Sequence, residues 1–333
     1  MNHVERFRAV MAGQPVDRLP AIEWAGWWDK TIDRWRAEGL PAHLTDAADI
    51  RAHLGLDPYR QFWIRAIGPD APGPASHGAG LAEDLAAYRQ LRPLLYPPTD
   101  FAALLRPEWV GQHRRGDLVI WLTLEGFFWF PRRILGIERH LYAFHDQPEL
   151  IHRINEDVLE FNLEVVRGFC RILKPEFATI AEDMSYNLGP MVSRACFDEF
   201  IAPYYRRLVP LLLELGVTPV VDSDGDIAEL VPWFESVGVQ GLLPLERAAG
   251  VDVVALRRQH PGFGFIGAYD KMVMWRGEAA MRAEFERLLP AMRAGRFIPS
   301  CDHQTPPQVS LADYRIYSAL LREYATRGAS PRA

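Results

Sequence analysis

Phe177-Ala178-Thr179-Ile180-Ala181-Glu182-Asp183 is a short apolar run that ends in acid. The same form recurs in Pro20-Ala21-Ile22-Glu23, Leu118-Val119-Ile120-Trp121-Leu122-Thr123-Leu124-Glu125, Val217-Thr218-Pro219-Val220-Val221-Asp222, Val239-Gln240-Gly241-Leu242-Leu243-Pro244-Leu245-Glu246, Phe263-Gly264-Phe265-Ile266-Gly267-Ala268-Tyr269-Asp270 and Phe297-Ile298-Pro299-Ser300-Cys301-Asp302-His303. In a buried parallel strand the apolar run fills the sheet, and the polar residue after it enters the mouth formed by the strand-to-helix loops. Repetition of this ending predicts one polar crater rather than unrelated loops. A further run at residues 59–64 brings the expected strands to eight.

Segments with helical period separate these runs, the alternation of repeated β-α units. Residues 148–173 carry Leu150, Ile151, Ile154, Val158, Phe161, Val165, Phe169 and Ile172 at spacings of three or four after the first pair, which predicts a long amphipathic helix. Further helices are expected at 194–215, 227–236, 251–260, 277–293 and 311–327. The Pro-, Gly- and Ala-rich residues 71–80 read as a loop, since the β-α rhythm resumes after them. The expected fold is a single (β/α)8 TIM barrel over residues 1–333 with an N-terminal helical extension. An open doubly wound sheet is the alternative, but no GxGxxG or P-loop supports its nucleotide site.

At 333 residues, 49% hydrophobic and 24% charged, the chain can hold one large barrel or two smaller domains. A formal net charge of -6 gives no bulk attraction to phosphate backbones or anionic lipid, so neither nucleic acid nor membrane is an expected partner. Residues 1–12 carry Glu5, Arg6 and Arg8 where a signal peptide needs an apolar stretch, so a cytoplasmic protein is expected. Cys170, Cys196 and Cys301 are too few and too scattered for a disulfide framework and are expected to be reduced thiols.

Three constellations carry chemistry. Asp222-Ser223-Asp224-Gly225-Asp226 places two carboxylates two residues apart at a strand end, suited to a metal or a cationic group, with Gly225 permitting a sharp turn. The plainer reading is that Asp224 or Asp226 caps the helix that follows. The motif starts like a calcium loop, but the position where an EF-hand needs glutamate is Trp233. Cys301-Asp302-His303-Gln304-Thr305-Pro306-Pro307 offers a soft and a borderline ligand in a loop stiffened by prolines. On one barrel face, Asp222, Asp224, Cys301 and His303 make a mixed O/S/N metal set. In Glu182-Asp183-Met184-Ser185-Tyr186, adjacent carboxylates raise one another's pKa, which suits Glu182, Asp183 and Tyr186 to proton transfer. Glu23, Trp24 and Trp27, with the strand-end acids Glu125, Glu246 and Asp270, are candidate substrate contacts. Packing of loops is the plainer account of the aromatic residues.

The opening Glu5-Arg6-Phe7-Arg8-Ala9-Val10-Met11-Ala12-Gly13-Gln14-Pro15-Val16-Asp17-Arg18-Leu19-Pro20, the stretch Leu188-Gly189-Pro190-Met191-Val192-Ser193 with Phe197, Phe200, Pro203 and Tyr204, and the closing loop at 301–314 resemble the uroporphyrinogen decarboxylase superfamily. That family includes zinc- and corrinoid-linked methyltransferases, and the resemblance implies a barrel with its site at the C-terminal mouth. True decarboxylases of the family have an Arg-Gln-Ala-Gly-Arg stretch that holds a polycarboxylate substrate. Here Glu23-Trp24-Ala25-Gly26-Trp27-Trp28-Asp29 stands there, and an acidic, aromatic mouth repels a polyanion. The methyltransferase branch holds zinc with a His-x-Cys pair and a later Cys. The resemblance puts these at Asp222, Asp224 and Cys301, with His303 supplying nitrogen, a harder set that also admits manganese or iron.

The leading expectation is a metal-dependent enzyme, most simply zinc-bearing. It moves a one-carbon group from a small methylated substrate to a thiol, or to a corrinoid supplied by a partner protein. A homodimer is expected from the family. Two alternatives stand beside it: a metal-independent decarboxylase acting on a smaller substrate, with Asp222 or Asp183 stabilising a protonated ring and His303 as donor, and a non-catalytic ligand carrier.

Overall fold

In the computed structural model, which describes residues 1–329, all the expected strands except the first pair into one parallel seven-stranded sheet. In chain order these are β1 (Tyr59–Trp63), β2 (Val119–Glu125), β3 (Phe177–Ala181), β4 (Thr218–Asp222), β5 (Gly241–Leu243), β6 (Gly264–Tyr269) and β7 (Phe297–Cys301). Each pairs with the next in sequence, so the sheet has no strand reversal and no topological switch point. Every side chain of β2, β3, β6 and β7 is buried, as expected for parallel strands covered on both faces. The sheet curls in a TIM-like arrangement. No helix among the described residues is long and apolar enough to cross a membrane.

Residues 20–23 form no ladder, which corrects the eighth strand. Side chains account for this. The amide of Cys301 donates to Glu23 Oε1 (3.0 Å), and the amide of Trp24 donates to Ser300 Oγ (3.1 Å). On the other side the amide of Asp57 donates to Ala21 O (2.9 Å), and the Tyr59 hydroxyl to Glu23 O (2.7 Å). This extended segment therefore sits against both β1 and β7, but a glutamate and a serine take positions that a backbone ladder would otherwise use.

The long helix runs from Pro148 to Cys170 and the last from Leu311 to Arg327. The helix expected at 194–215 is two, Arg194–Phe200 and Ala202–Glu214. Pro203 lacks an amide hydrogen and its ring opposes a continuous helix through Glu199, so the chain breaks at Ile201.

The two ends of the sheet treat their acids differently. At the N-terminal ends of β1 and β3, Asp57 and Glu176 are buried and fully partnered. Arg18 grips Asp57 with two 2.7 Å bonds while the Ala21 amide donates to it, and Glu176 receives Arg8 (2.7 Å), His113 (3.0 Å) and the Ile120 amide (2.8 Å). Burial raises the Asp57 pKa, but the bonds from His3, Arg18 and Ala21 outweigh it and hold the carboxyl well below the usual range. These ion pairs fix the bottom of the sheet. At the C-terminal ends, Asp222 and Asp183 have no such ion pair.

Candidate metal centre at the strand ends

Three loops converge there. After β4, Ser223 is fully buried, its amide donating to Leu243 O (3.0 Å) and its Oγ accepting from the Met184 amide (3.2 Å). Gly225 then turns with φ +83, and a Cβ there would lie 2.7 Å from the Tyr186 backbone, so only glycine fits. The turn separates the two acids around it. Asp226 caps the next turn by accepting from the Ala228 amide (3.1 Å), while half-buried Asp224 faces the mouth. After β5, Leu245 adopts φ +69 and Glu246 accepts from the Gly225 amide (3.0 Å). After β7, buried Asp302 accepts from the Arg247 amide (3.0 Å) and from Lys271 Nζ (3.1 Å), anchoring the loop that presents His303.

The outcome is a compact donor set. Nε2 of His303 lies 3.5 Å from Oδ2 of Asp224, and ligand atoms of Asp224, Glu246 and His303 all lie within 4.8 Å of one another. The hydrogen bond that His303 donates to Asp224 raises the His303 pKa, against the effect of its burial, and Glu246 adds to the rise. One imidazole and two carboxylates suit a divalent ion such as zinc, manganese or iron. The set fits a metal in its chemistry, one borderline nitrogen and two hard oxygen donors that are all partly open to the mouth.

Beside this set, a cavity of about 320 Å³ is lined by Trp24, Gln61, Trp63, Trp121, Gln304, Asp183, Asp222, Asp224 and His303, with the short segment Ala25 and Gly26. No hydrogen-bond donor among the described residues reaches the Asp222 carboxyl. Burial pushes its pKa well up, and Asp183 and Asp224 push further. Asp183, held at φ +42, rises to about 6 through burial and then through Asp224. The raised Asp222 and Asp183 carboxyls side by side make this wall one that draws either protons or a cation.

Several expected site residues lie elsewhere. Glu182 is an anchor: its carboxylate accepts from the amides of Phe127 (2.9 Å), Phe128 (2.7 Å) and Trp129 (3.3 Å) and from the Tyr205 hydroxyl (2.6 Å). That occupancy leaves it no lone pair for a substrate. Tyr186 is exposed on a small hairpin with Gly189 and Pro190 and does not line the cavity. Glu23 is a fully buried strut between Ser300, the Cys301 amide and Tyr314. Trp27 packs on Trp35 and Tyr314, with ring centroids 5.5 and 5.8 Å away. Glu125 is buried and paired with Arg133 (3.1 Å), and Asp270 caps the turn at Lys271–Arg276. Cys301 lies outside the donor set. Burial pushes its thiol well up, with Glu23 and Asp302 adding, which opposes the thiolate a metal needs. Asp222 is at the cavity wall, outside the three-residue set.

Trp24 keeps its expected place on the wall, 6.2 Å edge-on from His303. Gln61, Trp63 and Trp121 were not anticipated. The period-two spacing of Gln61 with Trp63, and of Trp121 with Thr123, marks inward faces of β1 and β2. Their interior bonds confirm this: Gln61 Nε2 and Thr179 Oγ1 both meet Thr123 Oγ1, at 2.8 and 2.9 Å.

Among solved structures, a methyltransferase from Methanosarcina mazei aligns over 97% of this chain and 99% of its own, with TM-score 0.67 and 14% identity. The likeness is one of fold, and the two chains share it from end to end. An exo-β-1,4-mannosidase from an Opitutaceae bacterium (TM-score 0.42, 11% identity, 91% of this chain and 59% of that one) and a psychrophilic family 10 endo-β-1,4-xylanase (0.36, 7%, 63% and 79%) align too loosely to carry an argument. No family model matches the chain, and neither does any curated protein.

Proposed function

We propose that this chain is a metal-dependent enzyme of the methyltransferase-like branch of the uroporphyrinogen decarboxylase superfamily. On this reading its barrel is a single domain closed by the extended segment at Glu23, and it moves a one-carbon group from a small methylated substrate to a thiol or corrinoid acceptor. The observation that carries it is the convergence of Asp224, Glu246 and His303 at one point of the mouth. The end-to-end likeness of fold to the Methanosarcina methyltransferase and the motifs of the opening and closing segments support the same branch.

Asp224, Glu246 and His303 hold the ion, with zinc the simplest occupant. A divalent ion bound there supplies Lewis acidity, which polarises a substrate heteroatom or makes an acceptor thiol more acidic. Asp222 and Asp183, whose pKa values burial and the neighbouring carboxyls raise, take up and return a proton at their carboxyl oxygens. Trp24, Trp63 and Trp121 wall the cavity and limit water around the small substrate. A corrinoid acceptor would arrive on a partner protein.

A metal-independent decarboxylase is the second reading, favoured by the Asp222 carboxyl, which has no donor and can stabilise a protonated, electron-rich ring. The two separate in one assay. Transfer from methylamines and methoxyarenes to free cob(I)alamin or to a small thiol is followed in protein reconstituted with zinc and in protein stripped by chelator. Transfer that requires metal and vanishes in His303→Ala supports the first reading. A pyrrole carboxylate is offered in parallel, and turnover of it that is indifferent to chelation, with carbon dioxide released and a proton taking its place on the ring, replaces the first reading with the second.

A further inference from the structure

The Pro-, Gly- and Ala-rich loop at 71–80 forms one wall of a second cavity, of about 400 Å³, beside the mouth. The loop is fastened in place. Ala79 bridges Gly136, the Ile137 amide donates to Gly78 O (3.0 Å), and the amides of Leu81 and Ala82 donate to Ile134 O (2.6 and 3.0 Å). The approach is so close that a Cβ on Gly80 would lie 2.3 Å from the Leu135 carbonyl carbon. The cavity is therefore a built feature of the fold.

Its walls are apolar, with Ile67, Leu81, Ile137 and Trp129 opposite the loop prolines, and they carry an excess of donors. Arg133 is balanced by Glu125 at 3.1 Å. Arg132 has no such partner: no carboxylate among the described residues lies within 4.0 Å, and its one hydrogen bond goes to the Asp183 carbonyl (3.5 Å). Its guanidinium is poised 5.1 Å from the centre of the Trp129 ring, and the Trp129 indole Nε1 is buried with no acceptor. A guanidinium with no carboxylate partner on an apolar cavity wall calls for one anionic oxygen group on an apolar body.

We infer that this cavity binds an apolar monoanion of the carboxylate or sulfonate class, its charged end on Arg132 and its body against Trp129, Ile67, Leu81 and Ile137. Since Asp183 lines the mouth and Arg132 lines this cavity, the Arg132–Asp183 bond links the two spaces. The inference does not depend on the metal set.

The probe is 8-anilinonaphthalene-1-sulfonate, titrated by fluorescence into the full chain, with octanoate and octan-1-ol as competitors. One equivalent of probe binds, octanoate displaces it, and octanol at equal concentration does not. Arg132→Gln weakens probe binding at least tenfold. So does Ile137→Asp, at a position 40% exposed where the fold tolerates charge. Asp224→Ala binds the probe as the unaltered chain does. Failure to bind the probe, equal displacement by octanol and octanoate, or undiminished binding by folded Arg132→Gln each overturns the inference.

Discussion

Oδ2 of Asp224 and Nε2 of His303 lie 3.5 Å apart, and this pair joins the loop after β4 to the loop after β7 across the mouth. Two sheet elements far apart in sequence are thereby committed to one chemical centre. Glu246, from the loop after β5, completes it.

The geometry of that centre depends on Gly225. Its positive φ and the 2.7 Å approach of the Tyr186 backbone leave no room for a side chain. Gly225→Ala is expected to lower stability by about 1–3 kcal/mol, measured by denaturant unfolding. It should also weaken metal binding, because Asp224 and the Glu246-bound amide move together.

Glu23 gives a pH signature. Burial raises its pKa to about 7 despite bonds from Ser300, the Cys301 amide and Tyr314. An acid whose folded pKa lies above its unfolded value of 4.5 contributes stability that is complete below 4.5 and is lost as pH rises to about 7. The loss is on the order of 3 kcal/mol at neutral pH and above. Glu23→Gln can keep these contacts, since the amide oxygen accepts from Ser300 and Cys301 while its NH2 donates to Tyr314. Stability measured by urea unfolding from pH 4.5 to 7.5 should fall less steeply in this variant than in the unaltered chain.

The opposite sign holds at the bottom of the sheet. Asp57 has its pKa held below the ordinary 3.8, so its contribution is present above that value and disappears as pH falls below it. Asp57→Ala strands Arg18 and the Ala21 amide. It should cost about 3–5 kcal/mol near neutral pH and remove part of the acid dependence, read from unfolding curves between pH 3 and 7.

Glu182 separates anchoring from proton transfer. Glu182→Gln puts an NH2 group against donors from Phe127, Phe128, Trp129 or Tyr205, and about 1–3 kcal/mol of stability should be lost. The pH dependence of turnover should keep its midpoints, because this carboxylate does not line the mouth. A shifted midpoint would return Glu182 to the proton path.

Strand ends were legible because an apolar run closed by acid is a local pattern. Seven of the eight expected strands stand in the sheet, and the helices at Glu278–Arg293 and Leu311–Arg327 lie within one residue of their expected bounds. The exception, 20–23, was read from the same pattern, but its acid turned inward to Ser300 and Cys301 and took the place of a ladder. The site was legible only as a set of acids. Sequence could not say which of Asp224 and Asp226 caps the helix, since the turn at Gly225 decides it. Glu246 was visible as a strand-end acid, but its partnership with His303 is set by the backbone turn at Leu245. Cys301 looked like a ligand by residue type, but its buried sulfur lies outside the group formed by Asp224, Glu246 and His303.

The most direct test is metal content of protein purified without chelator or histidine tag, reconstituted with zinc, and measured alongside Asp224→Ala, Glu246→Ala, His303→Ala and Cys301→Ser. The account predicts about one equivalent in the unaltered chain and in Cys301→Ser, and loss in the other three. No metal after reconstitution, or loss in Cys301→Ser with retention in Glu246→Ala, would contradict it.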